Sequence, residues 1–591
     1  MPIKNKDIKL IGEYVVEEYQ RRKRKRADQE KAWKDIDRQV AMTPDISHKL
    51  DAMGRPDTRK AWMPETELPL QAECLEVLTA DARRMLFPDS GTWNEAHACL
   101  SDPYIILMEG ESIIAGDENE VPSLITQDNV DKLCQGVQSH WQRQYDFYGN
   151  IDIINAESFS YGMGLGRGRL VNKKVFLSTA KGIVTQNQKI PVLFPTSIKN
   201  NYLDDRNFNL MGEGHILGPC HISYRKQLLE DIKLAVKGSN DPYDMNGGWI
   251  TNSARSLKGD KNGEVEIIEM EGDIVVPKSQ GAIVSPGTII TVAKDEAEKV
   301  IRIRFTQQPF TSYIKFPYHV EGMQSAYPTS PLMKGWPIQK AAVDALNRLM
   351  MAAALDVEPP IRFDKDDQEF ANSGGPVIFP GAQWRTLSGV EDMKIGDVSA
   401  MQAIYIALLS QYSDVTGINA PRLGAQTVSH TTAYSKQVEL NRGTVRTVDY
   451  VRNTLQGPLE QWLNMAYIMG RSTWNKTQKV YIDAYNGFVE LDKKHLPEDV
   501  TWKALGSGGP DEERVKSDRR FQALVQAIQL DQFAIQQGKQ ANIDIEKAQE
   551  AMLRNAGWTD TDVLKNTQAP QGAQPAAAPA AIQALAMQNV Q

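Results

Sequence analysis

The chain has 591 residues, of which 41% are hydrophobic, 24% charged and 8% aromatic, an ordinary globular composition that excludes wholesale disorder, collagen-like repeats and a disulfide scaffold. Length alone corresponds to about four domains of ordinary size, unless one elongated protomer is assembled from non-contiguous pieces. The formal charge of −8 excludes a protein that coats nucleic acid by bulk neutralisation, while leaving room for a local basic surface.

The first twenty residues, MPIKNKDIKLIGEYVVEEYQ, are charged from Lys4 onward and carry no apolar core, so no signal peptide is expected. Residues 4–41 predict one long helix, with Ile8, Ile11, Val15 and Tyr19 on a stripe that Trp33, Ile36 and Val40 resume. Between them lies RRKRKR, 21–26. It reads either as a nucleic-acid patch or targeting signal, or as a solvated helix face balanced by Glu17, Glu18, Asp28 and Glu30; the acidic neighbours favour the solvated face. A second helix is expected from Pro69 to Phe87, stopped by Pro88, and two more over 127–148 and 152–161.

Those helices run into YGMGLGRGRL, with glycines at 162, 164, 166 and 168 that pass into a strand. A dinucleotide fingerprint needs G-x-G-x-x-G after a strand; here an arginine holds the third position and a helix precedes, so the match fails. Short strands KIPVLFP and GHILGPCHISY follow, then an amphipathic helix near 225–236. Residues 264–316 alternate β-branched runs with Gly and Pro and predict a β-rich module. Its 264–299 part holds eight acidic against three basic residues, read as an acidic solvated rim.

An Ala-rich helix is expected from Pro337 to Glu358, before Pro359 and Pro360. A helix capped by Asp397 carries Met401, Ile404, Leu408, Tyr412 and Val415 and stops at Gly417. A polar link, GINAPRLGAQTVSHTT, leads to a long helix over 433–469 interrupted by Gly457 and Pro458. Val438, Val445, Val448, Val451, Leu455, Leu459, Trp462 and Leu463 mark its buried side. A strand pair (VYIDAY, GFVEL) and a Gly-rich linker at 506–513 precede helical segments at 521–535 and 544–555, and the Ala/Pro/Gln tail from 566 is expected to be disordered.

Signs of catalysis are sparse. The four cysteines (Cys74, Cys99, Cys134, Cys220) form no CxxC pair, and of eight histidines only His215 and His221 are near neighbours. No GxxxxGK[ST], HExxH or GxSxG occurs, so neither enzyme activity nor a cofactor or metal is expected; an ATP-driven process would need its motor on another protein. The longest apolar run, 349–355, is far short of the roughly 20 residues of a membrane span, and no membrane association is expected. Lys334, Lys340, Arg348, Lys436, Arg442 and Arg446 belong either to solvated or intersubunit faces or to a weakly attracting lining for a passing polyanion.

Several segments, read in order, resemble the portal (head-to-tail connector) proteins of short-tailed phages, the podovirus type. These are ECLEVLTADARRMLFPDSGTW at 73–93, SFSYGMGLGRGRL at 158–170, the run from SYIKFPYHVEG through AYPTSPLMKGWP to the Ala-rich helix and double proline at 312–361, GINAPRLGAQTVSHTTAYSKQVELNRG, and AMLRNAGWTDTDVLKN. AYP at 326–328 departs from the family's Tyr-Gly pattern. The resemblance spans about residues 70–565.

It implies a mixed α+β, predominantly helical protomer with wing, stem, clip and crown, forming a dodecameric ring at one capsid vertex. The corresponding divisions are 1–217 and 361–505 for the wing, 218–240 and 331–360 for two stem helices, 241–330 for an acidic clip, 506–565 for the crown and 566–591 for the tail. The tunnel loop would be 417–432, bringing Arg422, Gln426, Ser429 and His430 near DNA, with Lys334, Lys340 and Arg348 lining the stem tunnel and 433–469 forming the long helix. Expected partners are eleven further copies, the terminase large subunit, head-tail adaptor and tail proteins, major capsid and scaffolding proteins, and double-stranded DNA passing through; the expected location is the virion, after synthesis in the host bacterial cytoplasm. Two other classes are a phosphate-binding enzyme built on the 162–168 glycines and a minor capsid or scaffolding protein without a channel.

Overall fold

The computed structural model describes residues 5–46, 49–50, 53–57, 60–87, 93–98, 127–179, 182–204, 215–218, 221–224, 226, 228–229, 232, 248–258, 261–272, 288–294, 299–304, 311–319, 326–358, 361–363, 380, 383–385, 398–418, 446–474, 478–482, 487–491, 493 and 496–506. The chain divides into two units, Met1–Ser507 and Gly508–Gln591; the second, with the expected crown helices and tail, lies outside the described residues. Helix predominates over strand among the described residues, in a mixed α and β fold.

The first unit opens with helices α1 (Asn5–Lys25) and α2 (Ala27–Val40), so the single expected rod is broken at Arg26. The interruption is slight, since Arg26 N still bonds Arg22 O and Glu30 N bonds Arg26 O, each at 3.0 Å, and it falls in the basic run itself. Arg26 is buried, and its guanidinium donates to the carbonyls of Ile198 (2.8 Å), Asn201 (2.5 Å) and Lys199 (2.6 Å) while stacking 3.7 Å from the Tyr202 ring. Arg22 is buried as well, donating to Tyr202 O at 3.1 Å and pairing with Asp204. The expectation of a wholly solvated RRKRKR face is therefore corrected: Lys23, Arg24 and Lys25 face water, and Arg22 and Arg26 latch the helices to the 198–204 turn. Charge-assisted bonds to carbonyls offset the cost of burying those two cations.

Next come α3 (Leu70–Leu86), β1 (Asn94–Ala98), α4 (Gln127–Arg143) and α5 (Phe147–Tyr161). The α4–α5 break falls at 144–146 rather than 149–151, because the Asp146 side chain caps α5 by accepting from Gly149 N. Strands β2 (Met163–Thr179) and β3 (Gly182–Pro195) form a long antiparallel hairpin. The short β4 (His215–Leu217) and β5 (His221–Tyr224) follow; Lys226, Leu228, Leu229 and Ile232, inside the expected stem helix, are helical. After the short α6 (Thr251–Arg255) come β6 (Glu264–Gly272), β7 (Ile289–Ala293), β8 (Val300–Arg304) and β9 (Tyr313–Pro317).

The β-rich stretch is not one module. β4, β5, β6, β7 and β8 share a five-stranded sheet, whereas β9 pairs with β2 in a separate three-stranded sheet ordered β3-β2-β9. Alternation along the strands gives the five-stranded sheet two apolar faces. Ile268, Met270, Ile290 and Val292 meet Ile11, Val15 and Tyr19 of α1; Val265, Ile267 and Ala293 meet Leu228, Ile232 and Leu257.

The chain then forms α7 (Pro331–Val357), β10 (Ile361–Phe363), β11 (Gln383–Arg385) and α8 (Val398–Thr416). Helical residues 446–454 pass through a π-turn, Leu455–Leu459, into α9 (Glu460–Thr473), so the expected interruption at Gly457 and Pro458 is present. Val451, Leu455, Leu459, Trp462 and Leu463 are buried as expected, but Val448 is exposed; Val438 and Val445 lie outside the described residues. Strands β12 (Gln478–Ile482) and β13 (Gly487–Leu491) pair as expected, and β14 (Val500–Ala504) returns to pair with β1. The largest core joins α3, α4, α5, α9 and these strands around Trp141, Phe147, Trp462 and Trp474.

Candidate functional site

Helix α7 begins earlier than its prolines imply. Ser330 caps it by accepting from Met333 N at 2.9 Å, Pro331 opens the first turn, and Pro337 sits inside the helix rather than at its start. Its 27 residues make a rod of about 40 Å. α8 packs along it: Gly335, near the start of α7, lies against Tyr412 and Thr416 at the end of α8, so the pair runs antiparallel. A side chain at 335 would press on the Tyr412 ring, 2.8 Å from a Cβ placed there.

The base of this pair is tied down by a polar network. Gln71 N donates to Gln339 Oε1 at 2.8 Å and Gln71 Nε2 to Leu332 O at 3.0 Å, while Gln339 Nε2 donates to Leu68 O at 2.7 Å. Tyr412 donates its hydroxyl proton to Leu70 O at 2.9 Å, and Gln39 Nε2 donates to Trp336 O at 3.2 Å. Farther along, Thr66 N and Oγ1 donate to Asn347 Oδ1 and Leu355 is buried, while Met350, Ala353 and Val357 face water. The result is a two-helix arm, tied down at its base and again at Asn347.

Lys334, Lys340 and Arg348 all lie on the exposed side of α7, away from Gln339, Ala342 and Val343. At 100° per residue the three span about 120° of the helix surface, with Asp344 between them. The tunnel-loop residues Arg422, Gln426, Ser429 and His430 lie outside the described residues, as do Lys436 and Arg442. The two ends of that link are nevertheless placed. Gly417 closes α8 at φ 76°, its N–H bonded to Ser413 O at 2.8 Å, and Ile418 is buried in the main core. The chain is described again from Arg446, whose guanidinium donates to Val415 O. Departure and return therefore meet at one point, beside the end of α7 that carries Lys334.

The glycine-rich run serves packing. Gly162 ends α5 at φ 86°, where any Cβ would strike the Pro328 carbonyl, and at Gly164 a Cβ would strike the Ile154 carbonyl of α5. The segment before the run is helix α5, as the sequence indicates, and Gly164, Gly166 and Gly168 lie in the β2 ladders. His215 and His221 pair with Gly272 and Ile267 of β6, five positions apart and about 16 Å along the strand, which is too far for one metal ion. Among the described residues no group of three potential ligands converges. Cys74 and Cys134 are buried and not joined in a disulfide; burial pushes the Cys134 thiol up to about 12 against the opposing hydrogen bond with Tyr467.

Sequence reading missed a buried charge cluster. Arg167 of β2 reaches Glu269 and Glu271 of β6, the latter at 3.1 Å; Arg302 of β8 lies 3.4 Å from Glu269, and Glu271 also accepts from Ser312 N at 2.5 Å and Ser312 Oγ at 2.6 Å. All four ions are buried, so these two acids do not belong to a solvated rim. Burial alone would raise the Glu269 carboxyl, but Arg167 and then Arg302 outweigh it and hold it at about 2. Burial takes Arg302 down to about 10 despite Glu269. The available signal was period two: Val265, Ile267, Glu269 and Glu271 share one side of β6, and that side is covered.

No protein-family model matches the chain, and no curated protein matches it either. None of the described helices is long and apolar enough to cross a membrane.

Proposed function

We propose that this chain is a phage portal protein: twelve copies form a ring at one capsid vertex, and double-stranded DNA passes through its centre during packaging and ejection. The reading starts from the order of motifs along the sequence. The structural observation that supports it most is the arm, which carries Lys334, Lys340 and Arg348 on one exposed side and has both ends of the 417–445 segment at its base. In this reading α7 is a stem helix, 417–432 is the tunnel loop, and Arg422, Gln426, Ser429 and His430 approach the DNA. Wing, clip and crown follow the divisions given by the resemblance, and the finished particle, the virion, is where the ring resides.

The chemistry of a conduit differs from that of a DNA-binding protein. Each neutralised phosphate releases counterions and deepens a well from which the duplex must escape, so a moving polyanion is best served by few, interrupted cations. Three cations with an acid between them, in a chain of net charge −8, meet that requirement. The work of translocation is assigned to a terminase docked on the ring, with head-tail adaptor and tail proteins replacing it later and with capsid and scaffolding proteins holding the rim. The ring itself performs no catalysis.

Native mass spectrometry and negative-stain images test the reading directly. About twelve copies in an annulus with a central hole are expected, and a stable monomer overturns the proposal. Deleting residues 423–429 should leave the ring intact and impair packaging or retention of DNA; an unchanged packaged genome length counts against the loop assignment.

A further inference from the structure

The arm has a second exposed surface that the DNA path does not use. Helix α8 carries no charged residue before Asp414, in a chain where 24% of residues are charged. Only Tyr412 and Thr416 of α8 are buried, on the side toward α7. On the opposite side Ala400, Ala403, Ala407 and Ser410 run along the middle, and at 100° per residue Ile404 and Ile406 stand about 80° to either side of them. Those isoleucines are 56% and 58% exposed. Near the start of α8, Met350 and Val357 of α7 are 41% and 81% exposed, Val357 standing between the exposed acids Asp356 and Glu358. Scattered exposed apolar side chains are ordinary; an uncharged, four-turn helix face walled by two isoleucines is a contact surface.

We propose that this face of α8, with the tip of α7, is the surface through which one copy of the chain packs against the arm of the next. The inference rests on the ring reading and names where the copies touch. Area fits one such contact. Half the surface of a 19-residue helix of about 10 Å diameter is roughly 450 Å², and the α7 tip adds roughly 150 Å². The sum, about 600 Å² per copy, is what the smaller specific interfaces bury. An uncharged face also needs an uncharged partner present as soon as it folds. A second copy meets that condition throughout synthesis, whereas a face awaiting a later partner would stay open to nonspecific association.

The test is the assembly state of the full chain carrying Ala403→Arg or Ile406→Arg, read by native mass spectrometry across protein concentration. Ala403→Ser and Lys23→Glu, a remote exposed position on α1, serve as controls. Both Arg variants should raise the concentration needed for assembly at least about tenfold, with the helical circular dichroism and melting of the unassembled chain unchanged, while both controls assemble as the parent does. Parent-like assembly of both Arg variants overturns the inference and leaves the ring reading standing. An unassembled parent overturns both. A parent oligomer without a hole that the Arg variants dissociate overturns the portal reading and upholds the contact surface.

Discussion

Two regions of this molecule invert the usual rule in opposite directions. Around Glu269 four charged side chains are buried, and each finds partners within the same chain. Along α8 a charge-free face with two isoleucines stands in water. The first region pairs its ions within one protomer, because an unpaired buried ion would be prohibitive. The second is stable in one protomer but unfinished. A single chain therefore carries its own means of holding two sheets together and leaves one of its helices uncovered on one side.

The comparison is broken most forcefully at Arg167. Its guanidinium joins β2 of the three-stranded sheet to β6 of the five-stranded one, and Arg167→Met leaves Glu269 and Glu271 buried without the cation that bonds both of them, Arg302 and Arg169 remaining nearby. A loss of about 3–5 kcal/mol is expected in denaturant unfolding of the full chain. A loss below about 1 kcal/mol would mean that the two sheets do not depend on the cluster. Acid sharpens the same point with a somewhat smaller effect. The folded carboxyl of Glu269 sits at about 2 against an ordinary 4.5, so the unfolded chain binds the proton more readily. Its stabilisation is complete above about pH 4.5 and is lost as pH falls from there toward 2, up to about 3 kcal/mol. Glu269→Gln should remove that part of the acid dependence, and identical acid slopes for parent and variant would refute the assignment.

How far each region was legible depends on what its signal was. Helical stripes were plain: Ile11, Val15, Tyr19, Trp33 and Ile36 are buried as their spacing requires. Arg22 and Arg26 extend that stripe, at seven and eleven residues after Val15, and periodicity alone would have buried them; residue type argued for water, and periodicity won because the 198–204 carbonyls supply partners. Strand partners were opaque. YIKFP reads like its β-rich neighbours, yet β9 leaves them for β2, a choice made by register over about 150 residues of sequence that no local pattern encodes. The arm was half legible. Its helices were visible, and Lys334, Lys340 and Arg348 fall on one side as a helix demands, but no local pattern says which side of the uncharged stretch from 398 to 413 the fold leaves uncovered.

The smallest effect is the most discriminating. Ile404→Gln removes an apolar side chain that is more than half exposed, so in the unassembled chain it should change stability by less than about 0.5 kcal/mol. Assembly adds stability only to the folded form, by mass action, so the parent's melting temperature should rise with protein concentration. The variant's should rise less, because the surface that couples association to folding has lost an anchor. The gap between parent and variant thus opens with concentration, starting from near zero. A gap of 2 kcal/mol or more already present in dilute solution would place Ile404 in an intramolecular core, as burial of an isoleucine is worth about that much. The second region would then be as complete as the first, and the difference between them would vanish.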